Sequence, residues 1–152
     1  MKKTLIWFAS VLLAMALVGC ESTKQEQPVT PVEPVVEHKE PMMKAVKGMI
    51  AYRERIALPD TAVVIITLED VSLMDAPAKV LAKQTFTTEG EQVPFDFELS
   101  YDANEIEKGH HYNIRASIKI DGKLRFTTDT ENLVITDKKQ TTEVSLMLIG
   151  VR

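Results

Sequence analysis

The sequence predicts an all-β domain: two antiparallel sheets packed face to face as a β-sandwich of about eight strands. Three observations lead there. From Val46 onward apolar residues recur at every second position, the period of a strand with one face in a core and the other in water. Turn signals separate the alternating runs, above all Asp121-Gly122, a pair suited to the positive φ angles of a two-residue hairpin turn. No long segment carries the three-and-four spacing of an amphipathic helix. A closed barrel is the second architecture the same pattern allows.

Taken in order, the strands are expected over 46–53, 62–70, 79–87, 92–99, 111–120, 123–128, 132–136 and 142–149. Tyr112, Ile114, Ala116, Ile118 and Ile120 alternate with Asn113, Arg115, Ser117 and Lys119, the clearest case. Val93, Phe95, Phe97 and Leu99 repeat the pattern, as do Val144, Leu146 and Leu148. Ala62 to Leu68 is apolar on both faces and reads as a central strand. Glu89-Gly90-Glu91 and Asp137-Lys138-Lys139-Gln140 are expected to be further hairpin connections. Val71 to Lys83 has room for a helical turn, and Ala103 to Glu107 for another.

Before the domain the chain changes character twice. Lys2 and Lys3 precede an apolar run from Leu5 to Val18, broken only by Ser10; this is the shape of a secretory signal peptide, too short for the roughly 20 residues of a spanning helix. The run ends in Leu17, Val18, Gly19 and Cys20, similar to the lipobox of bacterial lipoproteins. Small residues there admit signal peptidase II to the backbone. The thiol of Cys20 is the nucleophile that takes a diacylglyceryl group, and acyl chains such as palmitate complete the anchor. Residues 1–19 are therefore expected to be a leader and Cys20 the lipidated first residue. Residues 20–45 hold Pro28, Pro31, Pro34 and Pro41. Proline at that spacing favours an extended, polyproline-like tether. Met42-Met43 is expected to pack on the domain edge. Residues 46–152 form the domain. Glu21, where many enterobacterial lipoproteins retained in the inner membrane carry aspartate, points to the outer membrane, facing the periplasm.

Composition narrows the partners. The 152 residues carry a net charge of −4, and loss of Lys2 and Lys3 makes the mature chain more acidic still. A nucleic-acid partner is excluded on electrostatic grounds. Cys20 is the sole cysteine, so no intramolecular disulfide can form. Trp7 is the sole tryptophan and leaves with the leader.

Few residues suggest chemistry. His110 and His111 are adjacent, and neighbours on a regular strand point to opposite faces, so they cannot share one metal ion. No metal site and no cofactor are expected. Asp70, Asp75, Asp96 and Asp102 read as strand-end and turn residues, and Ser72 is expected to have no nearby histidine, so no catalytic residue is assigned. Arg53-Glu54-Arg55 leaves the first strand ahead of Leu58-Pro59. An internal ion pair is the favoured reading of that triplet; the other is that Arg53 and Arg55 contact a partner's carboxylates, which guanidinium groups bind bidentately.

Long runs in the domain resemble one family. These include Val46-x-Gly48-x-Ile50-x-Tyr52-Arg53-Glu54-Arg55-Ile56-Ala57-Leu58-Pro59 and Val93-Pro94-Phe95-x-Phe97-Glu98-Leu99-x-Tyr101-Asp102. Tyr112-x-Ile114-Arg115-Ala116 and Asp121-Gly122-x-Leu124-Arg125-Phe126 continue the series. Together they are similar to the YbaY-type lipoproteins, which are grouped with the YscW-type pilot lipoproteins of type III secretion. The resemblance implies a periplasm-facing β-sandwich on a lipid anchor that binds or assists assembly of another envelope protein, such as an outer-membrane or secretion-system protein; the domain is expected to be a monomer, since every strong strand pattern lies inside it. It carries over no partner-contacting residue. A glycan or small-ligand binder is the alternative. An apolar groove between the sheets favours the pilot, and aromatic residues exposed on one face favour the glycan binder.

Overall fold

The period-two pattern does become strands. The computed structural model describes residues 39–152; the leader, the lipobox residues Leu17, Val18, Gly19 and Cys20, and most of the Pro-rich tether lie outside the described residues. The strands are β1 (Met43–Tyr52), β2 (Val63–Asp70), β3 (Lys79–Thr87), β4 (Phe95–Asp102), β5 (Tyr112–Ile120), β6 (Lys123–Thr127), β7 (Leu133–Val134) and β8 (Glu143–Gly150). A single 3-10 turn at Ala103–Glu105 is the helical element among the described residues. It falls where a turn is expected, with Asp102 as its cap, accepting from the Asn104 N–H at 2.9 Å. The other expected helical turn, within Val71 to Lys83, is absent. That segment is an irregular loop followed by β3.

The strands do not divide into two separate antiparallel sheets. They run as one hydrogen-bonded path, β3-β2-β5-β6-β8-β1-β4, with β7 attached to β5. The link is a short β6–β8 pairing, Phe126 opposite Gly150 and Thr127 opposite Ile149. At the other side the two end strands meet without pairing, through the edge-to-face rings of Phe86 and Phe95 at 5.8 Å. The result is nearly a barrel with one unpaired seam between β3 and β4, rather than the expected sandwich. A second correction concerns direction. β1 pairs with β8 in parallel, Gly48 opposite Val144 and Tyr52 opposite Leu148; parallel neighbours need a long crossover, and here nearly the whole domain supplies it.

Asp121 and Gly122 take φ values of +50° and +76° and close the β5–β6 hairpin as expected. The other two expected hairpins are turns between strands that do not pair. Glu89-Gly90 carries the chain from β3 across the seam to β4, and the Asp137–Gln140 turn leads from β7, on β5, to β8, between β1 and β6. The seventh strand is cut to two residues because Ile135 sits at φ +68°, where a β-branched residue cannot continue a strand.

Inward residues of every long strand build one core. Val46 and Ile50 from β1, Val64, Ile66 and Leu68 from β2, Ile114 and Ile118 from β5, and Leu146 from β8 are fully buried. Each such side chain contributes about 1.5–3 kcal/mol relative to exposure. β2 is central, between β3 and β5, as its two-faced apolar pattern requires. Met42 and Met43, by contrast, do not pack on the domain edge. Both are exposed, and Met43 already belongs to β1.

Candidate functional site

Gly48 opens a gap in the middle of β1. Register places it directly opposite Phe97 on β4 and Val144 on β8. A Cβ at this position would lie 2.9 Å from ring atoms Cε1 and Cζ of Phe97 and would run into the Val144 carbonyl oxygen. The glycine therefore admits the Phe97 ring across its backbone, the close approach that a glycine inside a strand pattern signals. Around it runs a groove of about 800 Å³. Gly48, Met49, Phe97 and Val144 supply its apolar lining, and Lys47 and Glu98 bound it as an exposed ion pair at 3.1 Å. Gln84 reaches the groove from β3, across the unpaired seam, and its Oε1 is buried with no hydrogen-bond partner. A buried acceptor without a partner is costly in a finished core. With Asn104 Oδ1 and Thr128 Oγ1, it is one of the places among the described residues where a buried polar atom goes unpartnered.

The Arg53-Glu54-Arg55 triplet follows β1 directly and all three residues are exposed. The favoured internal ion pair is not formed. Among the described residues neither arginine makes a salt bridge, and the Glu54 carboxylate instead accepts from the Gly150 N–H at 3.1 Å, tying the β1 exit to the end of β8. Arg53 and Glu54 line a second, smaller groove of about 380 Å³ together with Met147 and Ile149 from β8.

Ser72 does have histidines nearby, contrary to the sequence expectation, because the loop after β2 folds against the residues that precede β5. Its hydroxyl donates to Asp70 Oδ1 and accepts from the His111 N–H at 2.8 Å. The His110 ring turns to Asp70, with Nδ1 2.6 Å from Oδ2, while Nε2 faces Glu107 Oε2 at 3.5 Å. The imidazole thus sits between two carboxylates and does not face the serine hydroxyl, so the three groups do not form a nucleophile-and-base pair. Burial works against ionisation of Asp70, yet hydrogen bonds from the Ser72 hydroxyl, His110 and the Ser72 N–H outweigh it and hold the carboxyl down at about 2. The hydrogen bond to Asp70 raises the His110 pKa, against the opposing effect of burial. The cluster fastens a loop. Asp102 serves as helix cap, whereas Asp96, on the outer face of β4, lies in the lining of the groove at Gly48.

Tyr52, Tyr101 and Tyr112 are all buried, and no phenylalanine among the described residues is exposed. The aromatic platform that favours a glycan binder is missing from this part of the chain.

Sequence reasoning did not single out Gly48 or Gln84 as site residues. The glycine inside the first strand pattern is a local signal of close approach; the inward glutamine across the seam depends on a topology no local pattern reveals.

Three likenesses to known proteins fit this geometry. Residues 41–148 match the family described as type III secretion system lipoprotein chaperone (YscW). An uncharacterized lipoprotein, YbaY, of Escherichia coli (strain K12) is 40% identical over 107 residues, which cover 70% of this chain and 55% of that protein. The chain thus spans about half the length of the curated relative it matches. Among solved structures, an alternative pilotin from the type II secretion system of Vibrio cholerae superposes with a TM-score of 0.72 at 56% identity, covering 73% of this chain and 99% of that one. With the match extending from ahead of β1 almost to the end of β8, the chain belongs to the YscW family of type III secretion system lipoprotein chaperones.

Proposed function

We propose that this protein is a non-enzymatic pilot, held by acyl chains on Cys20 at the periplasmic face of the outer membrane, whose β-domain binds an outer-membrane protein of a secretion system. The observation that carries the reading is the groove at Gly48. An apolar lining with a charged border suits a partner's apolar segment, and the β3–β4 seam supplies an edge with free backbone groups beside it. The likeness to a solved pilotin adds weight. Arg53 and Arg55, exposed and without salt bridges among the described residues, are proposed as a second contact to carboxylates on the partner. More than one acyl chain makes the anchoring stable, since a single chain binds only marginally. Tethering near the membrane raises the effective concentration of domain and partner with no new contact.

In cells making the lipidated protein, a photocrosslinker in place of Met49 is expected to capture an outer-membrane secretion protein. Absence of any protein adduct there, alongside a specific hit on a glycan array, would overturn the pilot in favour of a ligand binder. Arg53→Ala with Arg55→Ala is expected to lower recovery of the captured protein. Its thermal midpoint should change little, because exposed substitutions usually shift stability by less than about 0.5 kcal/mol.

A further inference from the structure

Four large apolar side chains stand in water at one end of the domain. Met74 is 97% exposed and Leu73 71%, in the loop between β2 and β3; Met42 and Met43, where the chain joins β1, are 53% and 60% exposed. Register brings the two places to the same end. Met43 lies opposite Asp102, while Asp70 lies opposite Lys79 and Tyr112. Cross-links then close the distance between them. Met42 N–H donates to Asp102 Oδ1 at 2.9 Å, the Asn104 side chain donates to the Glu40 carbonyl at 2.8 Å, and Lys79 Nζ meets Glu105 Oε2 at 3.1 Å.

The loop is fastened at its base, so the exposure of its tip is built in. Ser72 N–H donates to Asp70 Oδ1 at 2.9 Å, Val71 N–H to the His111 carbonyl at 2.9 Å, and His111 N–H to Ser72 Oγ at 2.8 Å. Beyond this base come Leu73 and Met74 with no cover. Exposed apolar groups gathered in one place mark an interaction surface.

We propose that this end of the domain contacts the membrane: Leu73 and Met74, with Met42 and Met43 beside them, enter the phospholipid interface of the bilayer that holds the anchor, a reading that rests on the lipid anchor at Cys20. The place where the chain joins the domain selects this occupant over a protein. The stretch from Cys20 to Lys39 can span at most about 65 Å, and it ends at the Met42-Met43 pair, so of the domain's two ends this is the one the anchor draws to the bilayer. Lys79 is already paired with Glu105 and Asp75 beside the tip is acidic, so attraction to anionic headgroups is weak and the contact is apolar. Held in this way, the domain turns Arg53 and Arg55, at the opposite ends of the strands, away from the membrane and toward the periplasm.

The test uses the full mature lipoprotein in vesicles of phosphatidylethanolamine and phosphatidylglycerol. Loss of Trp7 with the leader leaves it free of tryptophan, so a single Met74→Trp probe reports its own surroundings; Met74 is too exposed for the change to disturb folding. A Leu124→Trp protein, probed on β6 by the far hairpin turn, is the control. On reconstitution the Met74→Trp emission is expected to shift to shorter wavelength and to lose at least half its intensity with brominated acyl chains, while the Leu124→Trp emission does neither. Flotation of the same samples reports the anchor separately. Protein that floats while the Met74→Trp probe stays unshifted and unquenched overturns the membrane contact and leaves the anchor standing. Protein that neither floats nor is quenched overturns both. A crosslink from position 74 to a protein, without lipid quenching, assigns the surface to that protein and also overturns the proposal.

Discussion

At the end of the domain where β1 begins, the loops are fastened by ionisable groups: Asp70 holds Ser72 and His110, and His110 lies between Asp70 and Glu107. At the end where β1 finishes, neutral groups do most of the same work, beside the Glu54 carboxylate that accepts from the Gly150 N–H. Gln92 Oε1 accepts from the Leu58 N–H at 2.8 Å and its Nε2 donates to the Leu58 carbonyl at 3.0 Å; Thr88 Oγ1 donates to the Pro59 carbonyl at 2.7 Å, and Tyr52 OH to the Ile56 carbonyl at 2.6 Å. Below them Tyr52 stacks on Phe126 with ring centroids 4.2 Å apart. The difference has a consequence for function. An end closed mostly by neutral hydrogen bonds is less sensitive to pH, and among the described residues it leaves Arg53 and Arg55 without salt bridges, as a contact surface requires. An end closed by a carboxylate and an imidazole is fastened only in a limited pH range.

The largest expected effect comes from the neutral end. Phe126 is fully buried, and Phe126→Ala removes both its core contacts and its stack on Tyr52, at a cost of about 3–5 kcal/mol. Thermal unfolding followed by circular dichroism measures it. A loss under 1 kcal/mol would show that the Tyr52–Phe126 stack and the core around it do not hold this end together. Gln92→Ala should cost less, about 1–3 kcal/mol, because it leaves the N–H and carbonyl of the buried Leu58 without partners. That loss should be the same at every pH where the protein folds, which separates the neutral end from the charged one.

How much of this was legible in the sequence depends on the range of each contact. Tyr112 to Ile120 alternate visibly because both strand faces are written in adjacent residues, and Asp121-Gly122 announces its hairpin locally. The β6–β8 link rests on only two residue pairs from segments far apart, and β1–β8 pairing joins the two ends of the domain; nothing local distinguishes a sandwich from a nearly closed barrel. The same limit governs the sites. Ser72 and His111 are brought together by antiparallel β2 and β5, and Glu54 finds Gly150 rather than its arginine neighbours because β1 and β8 end side by side. Gly48 was visible as a glycine in a strand, but the ring that needs its missing side chain comes from β4.

The smallest effect, and the one that bears most directly on the comparison, is the pH response of the charged end. The Asp70 carboxyl is held at about 2 against an ordinary 3.8, so its ionised form stabilises the fold above about pH 4, and that contribution disappears as pH falls through about 2. His110 is raised above its ordinary 6.5; its contribution is complete below that value and is lost as pH rises through the elevated one. Both are fully present between about pH 4 and 6.5, so the thermal midpoint should be highest there and decline on either side, by no more than a few degrees. Asp70→Asn removes the carboxylate that both contributions share. It should flatten the alkaline side, return the imidazole titration followed by NMR toward 6.5, and reduce the acid loss. His110→Gln should abolish the alkaline decline and, by removing one of the interactions that hold Asp70 down, trim the acid loss as well, while Glu107→Gln, which leaves the 2.6 Å contact to Asp70 in place, should preserve most of the alkaline decline. An alkaline decline that persisted in His110→Gln would place the pH response elsewhere, and the contrast between the two ends would no longer rest on this cluster.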